Sequence, residues 1–379
     1  MHKDDVMGLV RSQANVPTPS DSLPRHLASL QWLRAIAALA VVYFHAAIQV
    51  RQLNPEIKVP IIGAMGVDIF FVLSGFIMWV TTRHSHVSTG RFIVKRIERI
   101  APLYWLLSII VAIFALLMPH LLNSTRFDPA HLLASLFFIP WPNPAGVPGT
   151  SEHLSPILIP GWTLNMEMMF YLLFSLCLPL RKGWRVASIS LLIIVLYVIG
   201  LMGAKNGSIA AFYGNTIILE FLMGILLAAY LIPFLSLSAP WAWGLLALSL
   251  IVLAGIEAAG LDLPRAVKFG VPAFFAIAAA INLERLSAVP NFSALVKLGD
   301  ASYSIYLSHI FVLAGLRVIM GFLGIGVTLW TACAFMVVGM AASAILGLLI
   351  HEYVEKPLSR FKVRIGRRDS KSVDTAPQH

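Results

Sequence analysis

The side chains with the clearest chemical potential lie on one face of the first apolar segment. Arg34 stands near its start and His45 follows eleven residues later. Eleven residues make close to three full turns of a helix, so both side chains share a face, about 16 Å apart along the axis. A neutral imidazole accepts protons near pH 7, so His45 is a candidate to deprotonate a sugar hydroxyl or to carry an acyl group. The alternatives are a histidine hydrogen-bonded to a neighbouring helix and an arginine that extends to the membrane surface.

A carboxylate near the start of another apolar segment is the natural partner for that imidazole. Glu167 follows Trp162 by five residues, and Tyr171 lies on its helical face four residues later. If this helix is entered from the outer side of the membrane, Glu167 lies at a depth similar to that of His45. Its carboxylate could then orient the imidazole and stabilise the charged form. The alternative is a carboxylate favoured by the dipole at a helix N-terminus.

Two arginines precede the third apolar segment. Arg96 and Arg99 are three residues apart and share a face if this stretch is helical. Paired guanidinium groups suit bidentate recognition of phosphate. A plain cluster of positive charge at a cytoplasmic loop has the same pattern, so the alternative is a topological signal without a ligand.

Two further apolar segments carry polar side chains that are candidates to line a site. The second segment, 61–82, contains Asp68 and Ser74. The ninth segment, 302–323, contains Ser302, Tyr306 and His309 at spacings that place them on one helical face. Ionisable groups within a membrane are costly and are often functional. The alternatives are close helix packing around the small residues of the second segment and a hydrogen-bonded helix contact in the ninth.

The chain around these residues has the composition of a membrane protein. Of its 379 residues 58% are hydrophobic and 12% charged, and crossing a bilayer takes roughly 20 mostly apolar residues. The prediction is an all-α integral membrane protein, a bundle of about ten transmembrane helices. The predicted spans are approximately 31–50, 61–82, 100–118, 162–180, 186–203, 213–233, 241–259, 267–284, 302–323 and 327–350. The apolar segment 132–139 is too short to span and is predicted to be re-entrant or interfacial.

The distribution of Lys and Arg predicts the orientation. An even number of spans places both termini on one side, and most basic residues fall in the loops of that side. Both termini are therefore predicted to be cytoplasmic. Residues 1–28 are expected to form a flexible N-terminal tail, 29–355 the transmembrane domain and 356–379 a basic C-terminal tail. The net charge of +10 follows mainly from this topology and favours contact with anionic membrane lipid.

Six ordered segments together resemble the membrane-bound acyltransferase family known as acyltransferase family 3, and especially its stand-alone members that O-acetylate exopolysaccharides. The matching segments are 33–45, 66–76, 96–102, 162–171, 303–309 and 355–358. The sequence departs from the family at one position, because Met168 follows Glu167 where the family often has two adjacent acidic residues.

The resemblance implies a bundle in the bacterial inner membrane that moves acetyl from cytoplasmic acetyl-CoA to a glycan hydroxyl or a lipid-linked saccharide. It implies that Arg34, His45, Arg96 and Arg99 matter for activity. We expect the phosphates of CoA to bind Arg96 and Arg99, and Arg34 to guide the pantetheine arm. His45, steadied by Glu167, is expected to act as a base or a transient acyl carrier. Without a second, hydrolase-like domain, one bundle is expected to perform the transfer or to work with polysaccharide assembly machinery.

Other functions find less support in the sequence. It contains no P-loop, no dinucleotide-binding glycine pattern and no clear metal-ligand spacing, and no nucleic-acid partner is predicted. A transporter of a glycan or small solute is the alternative function, although it predicts inverted repeats, and no clear internal symmetry is visible. A non-catalytic membrane scaffold is a third possibility, which leaves the aligned Arg34 and His45 without a purpose.

Overall fold

The computed structural model describes residues 27–85, 87–122, 125–146, 153–203, 208–290 and 292–358. Within these ranges the chain forms thirteen α-helices and no β-strand, which confirms the predicted all-α class. The helices are α1 Ala28–Leu53, α2 Gly66–Thr82, α3 Thr89–Leu117, α4 Pro129–Leu136, α5 Trp162–Cys177, α6 Lys182–Gly203, α7 Ile209–Tyr213, α8 Ile218–Leu226, α9 Ala239–Ala258, α10 Val271–Arg285, α11 Ser293–Asp300, α12 Ser302–Phe322 and α13 Leu329–Ile350. The predicted tails, 1–28 and 356–379, lie almost entirely outside the described residues.

Eight helical segments of the described residues are long and apolar enough to cross a membrane, so the protein is a multi-pass membrane protein. Some of these segments combine an α-helix with an adjoining π-helical turn. The eight are Ala28–Leu53, Thr89–Leu117, Lys182–Met202, Ile209–Phe234, Ala239–Ala258, Ala266–Arg285, Ser302–Phe322 and Leu329–Leu358. Each coincides with a predicted span.

The other two predicted spans, 61–82 and 162–180, correspond to shorter helices. α2 has 17 residues and α5 has 16. α2 starts late because the chain before it is not helical: Gly63 has a φ of 110°, and the backbone N–H groups of Gly63 and Ala64 donate to the carboxylate of Glu257. A carboxylate from another helix thus pairs backbone N–H groups that precede α2 and have no acceptor within that helix.

The third predicted span, 100–118, begins earlier than predicted. α3 starts at Thr89, where the hydroxyl of Ser88 accepts a hydrogen bond from the backbone N–H of Arg91. The helix continues through Pro102 to Leu117. Arg96 and Arg99 are therefore helical, which meets the condition under which they were predicted to share a face.

α2 lies at the centre of the bundle, against α1, α8 and α10. Its contact with α8 is very close because both helices present glycine at the crossing. A Cβ atom on Gly75 would lie 2.0 Å from the carbonyl oxygen of Phe221, and one on Gly224 would lie 2.0 Å from that of Val72. Gly75 thus serves packing, as the alternative interpretation proposed for the small residues of this segment.

α1 packs on α2, α11, α12 and α13. α12 begins one residue after α11 and runs beside α1, so the polar faces of these two helices meet. α3 and α5 pack on each other, and both also contact this group of helices. The five helices α1, α2, α3, α5 and α12 enclose the site described next.

Candidate active site

A cavity of about 310 Å³ lies among α1, α2, α3, α5 and α12. It brings together seven of the ten site residues predicted from the sequence: Arg34, Ser74, Arg96, Arg99, Glu167, Tyr171 and Tyr306. Its wall also contains Thr163, Ser302 and Tyr303, and apolar side chains from α2. The other three predicted residues, His45, Asp68 and His309, lie outside this lining.

The charged groups that line the cavity are three arginines and one carboxylate, so positive charge is in excess. Arg96 is half-buried, with its guanidinium carbon 5.4 Å from the centre of the Phe92 ring and 5.8 Å from that of Tyr171. Arg99, one turn further along α3, is exposed. Arg34 is half-buried and donates to the side-chain oxygen of Gln31 at 3.1 Å. The arrangement is suited to a ligand that carries several negative charges.

Two polar atoms in the cavity wall have no hydrogen-bond partner among the described residues. They are Nε of Arg96 and the hydroxyl of Ser302, and both are buried. Buried polar groups are nearly always paired in folded proteins. These two therefore leave hydrogen-bonding capacity for a ligand inside the cavity.

Glu167 is held by two hydroxyl groups across the cavity. Ser74 donates to Oε1 of Glu167 at 2.9 Å, and the hydroxyl of Tyr171, one turn further along α5, donates to the same oxygen. The hydrogen bonds of Glu167 are made with these residues and not with His45, so the predicted contact between the carboxylate and the imidazole is not formed. The contact is absent because Glu167 on α5 faces α2, whereas His45 on α1 faces α12.

His45 is paired with a second histidine, His309. Nδ1 of His45 lies 3.2 Å from Nε2 of His309 and 2.9 Å from the carbonyl oxygen of Val41, and the two ring centres are 4.9 Å apart. Nδ1 of His309 lies 2.6 Å from the carbonyl oxygen of Tyr306. His309 is fully buried and His45 is half-buried. The sequence placed both histidines in the site, but it did not predict that they touch.

Tyr306 separates the cavity from the histidine pair. Its side chain lines the cavity, and its ring centre is 6.1 Å from that of His309. Its hydroxyl donates to the carbonyl oxygen of Pro160 at 2.9 Å and lies 3.0 Å from the hydroxyl of Thr163. Tyr306 thus lies between the arginine-lined cavity and the pair formed by His309 and His45.

Asp68 forms an ion pair within the bundle, away from the cavity lining. It is fully buried and forms a two-pronged ion pair with Arg265, with both N–O distances at 2.8 Å. Arg265 also donates to the carbonyl oxygen of Ala64. Sequence reasoning missed Arg265 as a partner because 197 residues separate it from Asp68. The pair fixes α2 against the segment that leads into α10.

A network that the sequence motifs did not explain supports the N-terminal end of α12. Glu355 accepts from the hydroxyl of Ser304 at 2.7 Å, and Nδ1 of His351 lies 2.8 Å from the same carboxylate oxygen. Glu355 ends the π-helical turn that follows α13. In addition, the hydroxyl of Tyr303 donates to the carbonyl oxygen of Ile100 at 2.6 Å, which ties α12 to α3.

Among the described residues no three or more His, Cys, Asp or Glu side chains are grouped so that they could hold a metal ion. The histidine pair supplies only two imidazoles. Its neighbours offer backbone carbonyls and aromatic rings, which do not complete a transition-metal site. The contacts of the two rings are hydrogen bonds to each other and to backbone carbonyl oxygens.

A cavity with excess positive charge and a histidine pair behind its Tyr306 wall fit the transfer of a group from a polyanionic donor. The family model described as an acyltransferase domain matches residues 27–348, and the chain belongs to this acyltransferase family, as its motifs predicted. The protein is therefore an enzyme, an acyltransferase, and not a transporter or a scaffold.

Three relatives illustrate the range of the family. The chain is 35% identical to the exopolysaccharide production protein ExoZ of Rhizobium meliloti, over 79% of this chain and 90% of the relative. It is 30% identical to the acyltransferase MdmB of Streptomyces mycarofaciens, over 93% of this chain and 95% of the relative. It is 25% identical to the peptidoglycan O-acetyltransferase OatA of Listeria monocytogenes, over 48% of this chain and 28% of the relative. No solved structure matches the chain.

Proposed function

We propose that the enzyme moves an acetyl group from acetyl-CoA to a hydroxyl of a glycan, which is an exopolysaccharide or another cell-surface polysaccharide precursor. The observation that carries this proposal is the cavity, whose wall contains Arg34, Arg96 and Arg99 and which ends beside the Tyr306–His309–His45 series. The names of the relatives support the acceptor class, since they refer to exopolysaccharide production and to O-acetylation of peptidoglycan.

The donor matches the charged and apolar side chains that line the cavity. Arg96 and Arg99 bind the phosphates of CoA, because guanidinium groups pair with phosphate oxygens through two parallel hydrogen bonds. Arg34 lies deeper, on α1, and contacts the pantetheine arm. Apolar side chains of α2, among them Phe71 and Ile77, line the same cavity and accommodate the carbon chain.

His45 carries out the proton transfer. As a base, it takes the proton of the acceptor hydroxyl, and the oxygen attacks the thioester carbonyl carbon. The C–S bond breaks, an ester forms, and the leaving sulfur receives the proton from His45, so the products are the acetylated glycan and free CoA. In the two-step form, Nε2 of His45 attacks the thioester carbonyl, the C–S bond breaks, and CoA leaves as a thiolate. The acceptor hydroxyl then attacks the acetyl group on the imidazole, the N–C bond breaks, and the hydroxyl proton passes through His45 to the CoA thiolate. In both forms the acetyl group passes the side chain of Tyr306.

The proposal includes an orientation. In this orientation α2 and α5 cross the bacterial inner membrane together with the eight longer segments, and both termini and the arginine end of the cavity lie on the cytoplasmic side. The distribution of Lys and Arg supports it. Residues 29–355 form the catalytic domain between two polar tails. The acceptor approaches from the outer side, alone or on a lipid carrier, and polysaccharide assembly machinery supplies it.

The test is transfer of labelled acetyl from acetyl-CoA to membrane glycan, with the label released by mild alkali as an ester would be. Native protein is compared with His45→Ala and with His120→Ala, which removes an exposed histidine that is absent from the cavity lining. The proposal predicts alkali-labile label with native protein and His120→Ala, and little with His45→Ala. Equal incorporation by all three proteins would remove His45 from the mechanism. No incorporation by any of them would reject acetyl-CoA or the glycan as substrate.

A further inference from the structure

The contacts of the histidine pair determine which ring nitrogens carry protons. Nδ1 of His309 lies 2.6 Å from the carbonyl oxygen of Tyr306. A carbonyl oxygen only accepts hydrogen bonds, so this nitrogen of His309 must be the protonated one. In a neutral ring, Nε2 of His309 then presents a lone pair, and it points at His45 at 3.2 Å.

Two hydrogen-bond acceptors lie close to the same ring nitrogen of His45. Its Nδ1 faces the carbonyl oxygen of Val41 at 2.9 Å and the lone pair of His309 at 3.2 Å. Two acceptors at one nitrogen require a proton between them. Nδ1 of His45 therefore carries the proton, and Nε2 of His45 keeps a free lone pair.

The opposite assignment is unfavourable. If His309 donated from Nε2, it would carry two protons and a positive charge in a fully buried position, and no described carboxylate is hydrogen-bonded to either ring. Nδ1 of His45 would then direct a lone pair at the carbonyl oxygen of Val41, which is repulsive. In the first assignment, each of these three contacts joins an N–H donor to an acceptor.

The two histidines differ in accessibility. His309 is fully buried, while His45 is half-buried and packs edge-on against Phe44, with ring centres 5.2 Å apart. His45 is therefore the member that a substrate can reach. His309 acts on the reaction only through His45.

We propose that His309 is a positioning residue that holds His45 in the tautomer with an unprotonated Nε2 and orients its ring for the transfer. This inference rests on the proposed function, in which Nε2 of His45 takes the proton or the acetyl group. When His45 becomes positively charged, its Nδ1–H still donates to His309 and Val41, so the pair also stabilises the charged intermediate. The neutral imidazole of His309 thus takes the part that was predicted for Glu167.

The variants of His309 separate this role from simple packing. In His309→Gln, the side-chain oxygen can reach the position of Nε2 and accept from His45. In His309→Asn, the shorter amide can replace the bond to the Tyr306 carbonyl but does not reach His45. Ser308→Ala is the matched control, because Ser308 is equally buried and its hydroxyl bonds only to the carbonyl of Ser304 in its own helix.

The experiment measures kcat and KM for acetyl-CoA in purified, lipid-reconstituted enzyme, together with the ¹⁵N NMR spectrum of histidine-labelled protein. His45 is assigned in the spectrum by comparison with His45→Gln. We expect kcat to fall by tenfold to 100-fold, to order of magnitude, in His309→Asn and His309→Ala, with KM unchanged. His309→Gln and Ser308→Ala should keep most of the native kcat. The spectrum should assign the proton of His45 to Nδ1 in native protein and a mixture of tautomers in His309→Ala.

Two results would overturn the inference: a protonated Nε2 on His45 in the native enzyme, or equal kcat values in native protein, His309→Asn and His309→Ala. Failure of the proposed function is a different result, in which native protein transfers no label or His45→Ala transfers as much as native. In that case the NMR measurement still decides whether His309 sets the tautomer of His45.

Discussion

Replacing Arg96 by alanine should weaken binding of acetyl-CoA far more than the same replacement at Lys95. Arg96 lines the cavity, is half-buried and lies over the rings of Phe92 and Tyr171, whereas Lys95 is exposed and absent from the lining. Both changes remove one positive charge from the same turn of α3. The comparison therefore isolates the contact with the ligand from the general field of the protein.

The magnitude follows from the environment of each arginine. A hydrogen bond to a charged group contributes about 1.5–3 kcal/mol, which corresponds to a rise in Kd of about tenfold to 150-fold for Arg96→Ala. Arg99 is exposed, and solvent-exposed ion pairs contribute about 0.2–1 kcal/mol, so Arg99→Ala should raise Kd by no more than about fivefold. Arg96→Lys should fall between native and Arg96→Ala, because it keeps the charge and loses the planar fork.

Isothermal titration of purified enzyme with CoA at fixed ionic strength measures these constants directly. A higher salt concentration should reduce the effect of Arg99→Ala more than that of Arg96→Ala, since exposed charges are screened more strongly than partly buried ones. The reasoning is refuted if Arg96→Ala binds CoA with native affinity. It is also refuted if Lys95→Ala weakens binding as much as Arg96→Ala does.

Three other predictions concern the residues around the cavity. Asp68→Asn should lower the free energy of unfolding by up to about 3 kcal/mol, because it removes the carboxylate of the two-pronged ion pair and leaves Arg265 only the attraction of Glu220 and Glu257. Thermal unfolding in detergent measures this, and an unchanged midpoint would contradict a structural role. Glu167→Gln should bind CoA at least as tightly as native enzyme, because one negative charge leaves the cavity. Weaker binding in a CoA titration would show that the carboxylate does not repel the donor. The rate of transfer should decrease as the pH falls through the range in which His45 becomes protonated, and a rate that is independent of pH would argue against His45 as the base.

The sequence predicted much of the site because its strongest signals are local. Arg34 and His45 share the face of α1 by spacing alone, and Ser302, Tyr306 and His309 share that of α12. Helical periodicity together with the cost of polar groups in a membrane was enough to select them. The structure adds that α1 and α12 run side by side, so the two faces form one polar path.

What the sequence could not supply is which helices face each other. Glu167 was expected to contact His45, but α5 faces α2 at that level, and Ser74 and Tyr171 bind the carboxylate instead. Asp68 was a candidate site residue because its partner Arg265 lies in a distant segment. Both errors concern contacts between remote parts of the chain, which depend on packing that no local pattern encodes.

The lengths of α2 and α3 were predicted incorrectly for a related reason. α2 is shorter than its predicted span because Glu257, from α9, binds the backbone N–H groups of Gly63 and Ala64 just before the helix. α3 is longer than predicted because Ser88 caps it well before the apolar stretch begins. Hydropathy locates apolar segments, whereas capping and tertiary hydrogen bonds determine where helices begin.

The most direct test of the central claim asks whether acetyl-CoA occupies this cavity. Ile77 lines it and is half-buried, and its side chain is apolar, so Ile77→Cys introduces a thiol into the wall. The exposed native Cys333 serves as an internal control. The measurement is the rate at which N-ethylmaleimide modifies each thiol, followed by mass spectrometry with and without acetyl-CoA. We predict that acetyl-CoA slows modification of Ile77→Cys and leaves that of Cys333 unchanged. Equal rates at Ile77→Cys with and without acetyl-CoA would contradict the claim.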